Sequence, residues 1–320
     1  MFFEGSEKKA EVIVDGKQIC LLTDLTDTFW QELVKCCNAK ILSTITNEDC
    51  TAYLLSESSL FVWTDRILIL TCGGTRLVKS VEYFIKNIGS SKIKHISYQR
   101  KNEYFAKAQF SSFGEDIRLL NQYCLGNAYR FGALDAHHNY IFHQNNNYQY
   151  ANADKSYELL AYQIGEQASQ KLTSKGILAN DIRQFLALDE ILPGFLLDDF
   201  VFQPCGYSVN AIKGNKYLTI HITPQQGSSY ISFASNINLI AFAPQLLKIL
   251  QPKSFDLLTF NEFDFSDLSN THIPSEYVNV ATVKDTLANN CTIAFANYTL
   301  PCTAPTKSEA LNLIEQSNAL

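Results

Sequence analysis

The sequence predicts an α+β fold in which antiparallel sheets are covered by helices. Segments rich in β-branched and aromatic residues outnumber amphipathic helical segments along the 320 residues. Several neighbouring strand candidates, such as 51–55, 59–64 and 67–72, are joined by only a few residues. Connections this short force antiparallel pairing, because a parallel crossover needs about a dozen residues or more. No segment has the composition of a linker and no internal repeat is apparent, so we predict one domain over residues 1–320.

The individual elements follow from local composition and hydrophobic spacing. The strand candidates are short runs rich in Val, Ile, Thr, Tyr and Phe, and they lie at 11–14, 41–45, 51–55, 59–64, 67–72, 93–98, 139–150, 200–203, 216–222, 229–234, 278–283 and 291–296. The helix candidates have apolar residues at helical spacing, and they lie at 27–37, 77–88, 114–123, 155–171, 178–189, 243–251 and 307–317. The polar stretch 143–155 is predicted to be a surface loop or a hairpin turn.

Composition excludes several classes of function. The chain is 46% hydrophobic and 18% charged with a net charge of −6, and it has no basic patch, which argues against nucleic acid or an anionic membrane as a main partner. No apolar run approaches the roughly 18 residues of a membrane span and no signal peptide is visible, so we expect a cytoplasmic protein. The nine cysteines include no CxxC pair and no Cys/His cluster at zinc spacing, so we predict reduced thiols and no metal site.

The segment Ser56-Glu57-Ser58-Ser59 places four polar residues between two strand candidates. On composition it is an ordinary hairpin turn, since Ser and Glu are tolerated in turns. Its sequence context points to a different interpretation. Five motifs occur in one order along the chain: FFEGSEK at Phe2–Lys8, YLLSESSLFV at Tyr53–Val62, LTCGGT at Leu70–Thr75, FQPCGYSVN at Phe202–Asn210 and IHITPQ at Ile220–Gln225.

These motifs resemble those of the eukaryotic-type S-adenosylmethionine decarboxylase proenzymes, in the order and at roughly the spacing of that family. The resemblance implies a four-layer α/β/β/α sandwich of two antiparallel sheets flanked by helices. It also implies self-cleavage between Glu57 and Ser58 into a β chain, 1–57, and an α chain, 58–320, that begins with a pyruvoyl group made from Ser58. His221 matches the family's processing base, and Ser208 matches the serine that stabilises the cyclic intermediate.

The resemblance also implies a substrate and a catalytic role for a thiol. The pyruvoyl group would form a Schiff base with S-adenosylmethionine and accept electrons as CO2 leaves. Cys72 matches the family's proton donor. The product would be the aminopropyl donor for spermidine biosynthesis. Apart from its motif, Cys72 differs little from most of the other cysteines, which are expected to be small buried hydrophobes.

Substrate binding is implied for further residues of the same motifs. Phe3 and Phe202 match two rings that sandwich the adenine, and base stacking of this kind is worth roughly 1–3 kcal/mol per ring. Glu4, Glu7 and Glu57 match acidic residues of the site, where a cationic substrate favours carboxylates.

Two departures from the family pattern affect binding and regulation. Gln225 replaces an acidic ribose-binding residue, which predicts binding weaker by about 1–2 kcal/mol, because a neutral hydrogen bond replaces a charge-assisted one. The family's diamine site has also lost polar groups: His137 aligns with its key aspartate, and Ala234 and Leu70 replace a glutamate and a lysine. We therefore predict little or no activation by putrescine, although Glu11 is retained, and Asp135 could substitute only if the alignment shifts.

Two other hypotheses remain open on the sequence. The chain could be a non-enzymatic paralogue that binds and activates a decarboxylase partner, or it could apply the same pyruvoyl chemistry to another amino acid. Retention of the processing residues favours an active enzyme, and retention of the two adenine-stacking phenylalanines favours the usual substrate. The family includes monomers and dimers, so a homodimer and a heterodimer with a paralogue are both possible.

Overall fold

Two large antiparallel sheets form the body of the protein. The computed structural model describes residues 7–301 apart from 102, 104–105, 135–136, 152–153, 204–205, 225–228 and 288, and everything below concerns this part of the chain. The first sheet contains β1 (Glu7–Val14), β2 (Ile41–Thr46), β3 (Cys50–Leu55), β4 (Ser58–Trp63), β5 (Arg66–Cys72), β6 (Ile93–Lys101), β7 (Gly126–Gly132) and β8 (His138–Gln144). The second contains β9 (Ser156–Tyr162), β10 (Leu196–Val201), β11 (Tyr207–Lys213), β12 (Lys216–Thr223), β13 (Tyr230–Ser235), β14 (Ser254–Phe260), β15 (Val278–Thr286) and β16 (Thr292–Thr299).

Helices cover the outer face of each sheet. On the first sheet these are α1 (Leu21–Asp24), α2 (Asp27–Cys36), α3 (Leu77–Ile88) and α4 (Phe113–Leu120). On the second they are α5 (Glu166–Leu172), α6 (Ala179–Phe185), α7 (Leu188–Ile191), α8 (Leu239–Leu250) and α9 (Phe265–His272). The arrangement confirms the predicted α+β class and the four-layer α/β/β/α order.

Alternation along the strands gives the two faces of each sheet different characters. In β1, Ala10, Val12 and Val14 pack in the core beneath the helices, whereas Lys9 points to the second sheet and forms an ion pair there with Glu158 of β9. The outer faces are therefore apolar, and the space between the sheets holds many buried polar side chains. This space contains the candidate site.

The two sheets have the same connectivity. The strand order is β2-β3-β4-β5-β1-β6-β8-β7 in the first sheet and β10-β11-β12-β13-β9-β14-β16-β15 in the second, so each strand has a counterpart eight strands later. The β3–β4 hairpin thus corresponds to the β11–β12 hairpin. No repeat was apparent in the sequence, and the structure corrects that expectation at the level of topology.

Several predicted elements differ from the structure, and the strands missed inside the second sheet share one physical reason. The helix predicted at 155–171 was wrong in its first half, which forms β9, and the strands β7, β11 and β14 were missed. β9, β11 and β14 lie inside the second sheet and are buried on both faces, so the period-two alternation is absent from their apolar residues. The segment 178–189 forms two short helices separated at Ala187, whose φ is +52°. The helix predicted at 307–317 lies outside the described residues.

Candidate active site

Ser58 is the first residue of β4, directly after the two-residue tip of the β3–β4 hairpin. Its φ is +141°, in the region that favours glycine. A non-glycine residue held in such a conformation stores strain on the order of 1–3 kcal/mol, and such strain concentrates at functional sites. The side chain is 3% exposed, between the two sheets. The segment predicted from composition to be an ordinary turn is therefore a strained one.

His221 on β12 reaches Ser58 from the second sheet. Its Nε2 lies 2.9 Å from Ser58 Oγ, and its Nδ1 lies 2.8 Å from Oγ of Ser208, the residue paired with it on β11. Burial lowers the pKa of His221 to about 3, because the interior disfavours the charged imidazolium. The imidazole is therefore neutral at neutral pH and can accept a proton. The structure brings together three of the residues predicted for processing.

Three more polar residues surround the same imidazole, and the sequence did not single them out. Ser59 Oγ and Thr219 Oγ1 lie 3.2 and 2.9 Å from Nε2. Both hydroxyls donate to Oδ1 of Asn210, at 2.6 and 3.0 Å. The signal that could have found them is strand periodicity: Asn210 is two residues after Ser208 and Thr219 is two before His221, so each shares a face with a predicted residue.

The carbonyl oxygen of Glu57, on the predicted cleavage bond, accepts hydrogen bonds from Cys72. The backbone N–H of Cys72 donates to it at 3.0 Å and the thiol at 3.3 Å. Burial, followed by the nearby carboxylates of Glu57 and Glu7, raises the pKa of Cys72 to about 12, so the thiol is protonated at neutral pH. The arrangement polarises the carbonyl from the side on which an oxyanion would form.

The remaining predicted residues within the described chain lie around this centre. Glu7 begins β1 and pairs in register with Cys72. It accepts a hydrogen bond from the Tyr230 hydroxyl at 3.1 Å, and its pKa is raised by burial and then by the Glu158 carboxylate. Burial also raises the pKa of Glu57. Phe202 directly follows β10, the strand that pairs with the Ser208 strand. Phe3, Glu4, Gln225 and Asp135 lie outside the described residues.

A second polar region lies between the sheets and contains Glu11, the residue of the family's diamine site that this sequence retains. Lys9 Nζ lies 2.7 Å from Glu158 Oε1, and Arg66 lies 3.6 Å from Glu11 and 3.0 Å from Asp154. All of these residues except Glu158 line a cavity of about 290 Å³.

The three residues that align with polar groups of the family's diamine site, Leu70, Ala234 and His137, lie in different surroundings. Leu70 and Ala234 lie in an apolar cluster between the sheets. His137, which aligns with the key aspartate, supplies an imidazole in place of a carboxylate, and its Nδ1 lies 3.1 Å from Oδ1 of Asp256.

Two further features of the described residues concern membrane-spanning helices and metal ligands. No helix in the described ranges is both long enough and apolar enough to cross a membrane. No group of three or more His, Cys, Asp or Glu side chains in this part of the chain is placed to hold a metal ion.

Comparisons with known proteins agree with the geometry. The family model for adenosylmethionine decarboxylase matches residues 1–300. The S-adenosylmethionine decarboxylase proenzyme of Trypanosoma brucei brucei is 31% identical over 281 residues, which cover 82% of this chain and 76% of that protein. The proenzyme of Xenopus laevis is 30% identical over 275 residues, covering 79% and 82%.

A solved structure supports the fold. The crystal structure of the Trypanosoma brucei AdoMetDC-delta26 monomer matches with a TM-score of 0.57 and 23% identity, covering 76% of this chain and 99% of that one. The chain therefore belongs to the adenosylmethionine decarboxylase family, whose enzymes depend on a pyruvoyl group formed by self-processing of a proenzyme.

Proposed function

We propose that this chain is a cytoplasmic decarboxylase of S-adenosylmethionine that cuts its own backbone between Glu57 and Ser58, makes a pyruvoyl group from Ser58 and supplies aminopropyl donor for spermidine synthesis. The observation that carries the proposal is a pair of contacts on the two sides of one peptide bond. Ser58 Oγ lies 2.9 Å from the neutral imidazole of His221. The Glu57 carbonyl oxygen accepts from the Cys72 N–H and thiol.

The first step is an acyl shift from nitrogen to oxygen. His221 Nε2 takes the Ser58 hydroxyl proton while Oγ attacks the Glu57 carbonyl carbon. We assign the proton on Nδ1 as donated to Ser208 Oγ, which leaves Nε2 as the acceptor. Negative charge develops on the Glu57 oxygen, where the Cys72 donors stabilise it. The C–N bond then breaks, the nitrogen takes the proton from the imidazolium, and an ester joins the two chains.

The second step releases the upstream chain. The same imidazole removes the α-proton of Ser58, whose α-carbon is two bonds from the Oγ that the imidazole contacts. The Cβ–Oγ bond breaks, and Glu57 leaves with a free carboxylate as the end of the 57-residue chain. The dehydroalanine left on the downstream chain takes up water, loses ammonia and becomes the pyruvoyl group. The strain at Ser58 favours leaving the precursor conformation.

The residues present fit the pyruvoyl group and the substrate. The group supplies an electrophilic carbonyl that binds the substrate amine and withdraws electrons as CO2 leaves. Cys72, protonated at neutral pH, can deliver a proton to the product carbon. Glu7 and Glu57 can attract the positive charge of the substrate, and Phe202 can stack on its adenine. Nothing in this arrangement favours the paralogue hypothesis, because the processing residues are assembled for reaction.

We further propose that the chain supplies its own cations where relatives would bind a diamine. Lys9 is already paired with Glu158, and Arg66 with Glu11 and Asp154, in the space between the sheets. Burial, the largest single influence, would lower the pKa of Lys9, but the charge and hydrogen bond of Glu158 together with further groups such as Glu11 outweigh it and raise the pKa, so Lys9 stays charged. A diamine would have to displace a paired internal cation.

The test is intact-mass analysis of freshly purified protein beside its Ser58→Ala variant. We expect two chains from the wild type, 1–57 and a longer chain that begins with pyruvoyl, and one uncut chain from Ser58→Ala. Ser91→Ala, which changes an exposed serine, should be cut normally. Carboxyl-labelled S-adenosylmethionine should then release labelled CO2 with the cut protein alone. A wild-type chain that stays whole after long incubation would contradict the proposal.

A further inference from the structure

His221, the proposed base for Ser58, has more hydroxyl groups around its Nε2 than that nitrogen can accept hydrogen bonds from. Ser58 Oγ and Thr219 Oγ1 are each 2.9 Å from His221 Nε2, and Ser59 Oγ is 3.2 Å from it. A neutral imidazole has one lone pair, on its unprotonated nitrogen. If the three hydroxyl protons competed for it, Ser58 would be activated for only part of the time.

Asn210 removes two of the competitors. Ser59 and Thr219 both place their hydroxyls on its Oδ1, at 2.6 and 3.0 Å. An amide oxygen has two lone pairs and a hydroxyl has one proton, so this oxygen can accept both protons and leave neither for the imidazole. The 2.6 Å separation suits an O–H···O bond and is shorter than usual for N–H···O, which supports the orientation of the amide.

The other half of the amide has no such role. Asn210 is fully buried, and its Nδ2 has no hydrogen-bond partner among the described residues. A buried amide that leaves its nitrogen unsatisfied costs about 1–3 kcal/mol. The nitrogen therefore gives no reason for an asparagine here, whereas the oxygen, which accepts from two buried hydroxyls, does.

We propose that Asn210 is a positioning residue for self-processing, whose side-chain oxygen takes the Ser59 and Thr219 protons so that His221 accepts from Ser58 alone. The inference rests on the proposed self-cleavage. It also accounts for the choice of bond: an activated Ser59 would attack its own preceding carbonyl and cut between Ser58 and Ser59.

The first experiment compares the processing rates of Asn210→Ala and Asn210→Asp after cell-free synthesis, followed by electrophoresis and intact mass. Alanine removes the acceptor, and we expect processing about 10- to 100-fold slower. Aspartate keeps acceptor oxygens and loses only the unpartnered nitrogen, so it should process faster than alanine, with a pH profile changed by the new carboxyl group. An aspartate variant as slow as alanine would overturn the proposal, because the amide would then act as a donor.

The second experiment removes the competitors themselves. Ser59→Ala and Thr219→Val, added to Asn210→Ala, should restore part of the lost rate, because no competing hydroxyl then remains near the imidazole. A purely structural role for Asn210 predicts a further loss instead, and that result would also overturn the proposal.

The matched control is Asn139→Ala. Asn139 is a buried asparagine with an unpartnered Nδ2, on β8, and β5, β1 and β6 separate that strand from β4. It should lower the melting temperature without the specific loss of processing. Wild-type rates in Asn210→Ala would overturn the role of Asn210 and leave self-cleavage intact, whereas an uncut wild type would remove the proposed function itself.

Discussion

The β3–β4 hairpin of the first sheet and its counterpart in the second, β11–β12, face each other head to tail across the space between the sheets. The tip of each hairpin therefore meets the open end of the other, which creates two comparable junctions. At the processing junction, the tip of the β3–β4 hairpin at Glu57 and Ser58 meets Ser208 and His221 near the open end of β11–β12. At the aromatic junction, the β11–β12 turn at Gly214 and Asn215 meets the open end of β3–β4. There Asn47 Nδ2 donates to the Gly214 carbonyl at 3.0 Å, and Trp63 Nε1 donates to the Asn215 carbonyl at 3.2 Å.

The side chains at the two junctions differ completely. At the aromatic junction the turn takes its positive φ, +57°, at Gly214, where it costs little. Phe61, Trp63 and Tyr217 pack there with ring centroids 4.9 to 5.9 Å apart. At the processing junction the positive φ falls on Ser58, beside a buried imidazole. On the proposed mechanism, the same backbone frame serves stability at one end and chemistry at the other, and the difference lies in the side chains.

The largest expected effect is on the rate of self-cleavage, when the imidazole is removed from the processing junction so that it becomes as unreactive as the aromatic junction. His221→Ala removes the base from the Ser58 hydroxyl and should slow cleavage about 10²- to 10⁴-fold. The rate of conversion of newly made precursor, followed by electrophoresis, measures the effect. Asn215→Ala at the aromatic junction is the control and should be cut at nearly the wild-type rate. Equal loss in both variants would show that the junctions do not divide their roles in this way.

The sequence could predict the processing junction in part, and the reason lies in its motifs. Ser58, Cys72, Ser208 and His221 all stand in motifs that resemble the family. Asn210 also stands inside one of these motifs, but the motif does not predict its role. That role depends on the strand register, which places Thr219 directly opposite Asn210.

The matching topology of the two sheets was even less visible in the sequence. It depends on which strands pair across the molecule, and several of those strands are buried on both faces. Residues that are all buried carry no alternation from which a strand could be recognised.

The next largest effect concerns the ion pair in the polar space between the sheets. Lys9→Ala leaves the buried Glu158 carboxylate without its cation and should lower the free energy of unfolding by about 3–5 kcal/mol. Urea unfolding of the uncut Ser58→Ala background measures this without interference from cleavage. The double variant Lys9→Met, Glu158→Leu should recover most of the loss, because no uncompensated charge remains. A small effect of Lys9→Ala would show that water reaches the pair.

A smaller effect is expected on the pH dependence of stability, which we assign to two buried histidines, His95 and His143, that are distinct from the processing residue His221. Burial first, and for His95 also the charge of His143, lowers the pKa of His95 to about 3; burial lowers that of His143 to about 4. Unfolding restores values near 6.5. The unfolded state therefore binds more protons below pH 6.5, and stability falls as the pH drops from about 6.5 towards the folded-state values.

His95→Phe in the uncut background tests this assignment. Each neutral buried histidine should cost about 1–2 kcal/mol between pH 7 and pH 5, so the variant should lose less stability over that range than its parent. Its processing in the wild-type background should keep the wild-type pH profile, since His221 is the proposed base. An unchanged slope of stability against pH would contradict the burial of a neutral His95.

A modest effect is expected from adding strain to the aromatic junction. Gly214→Ala forces a side chain into a positive φ, and its Cβ would lie 3.3 Å from Asp49 Oδ2. We expect about 1–2 kcal/mol of destabilisation and normal cleavage, because strain without a hydroxyl and a base does not break a bond. Thermal unfolding and intact mass measure the two outcomes. A change in cleavage would mean that the hairpins transmit strain from one junction to the other.

The smallest expected effect is that of putrescine, which should leave decarboxylation at saturating substrate unchanged. Lys9 and Arg66 already supply the positive charge between the junctions. Lys9→Ala is the informative companion, because it removes the Glu158 counterion beside a cavity of about 290 Å³. Putrescine should raise the unfolding midpoint of this variant while leaving that of the wild type unchanged. Clear stimulation of the wild type would contradict this role of the internal cations, since a diamine would then bind carboxylates that Lys9 and Arg66 already pair.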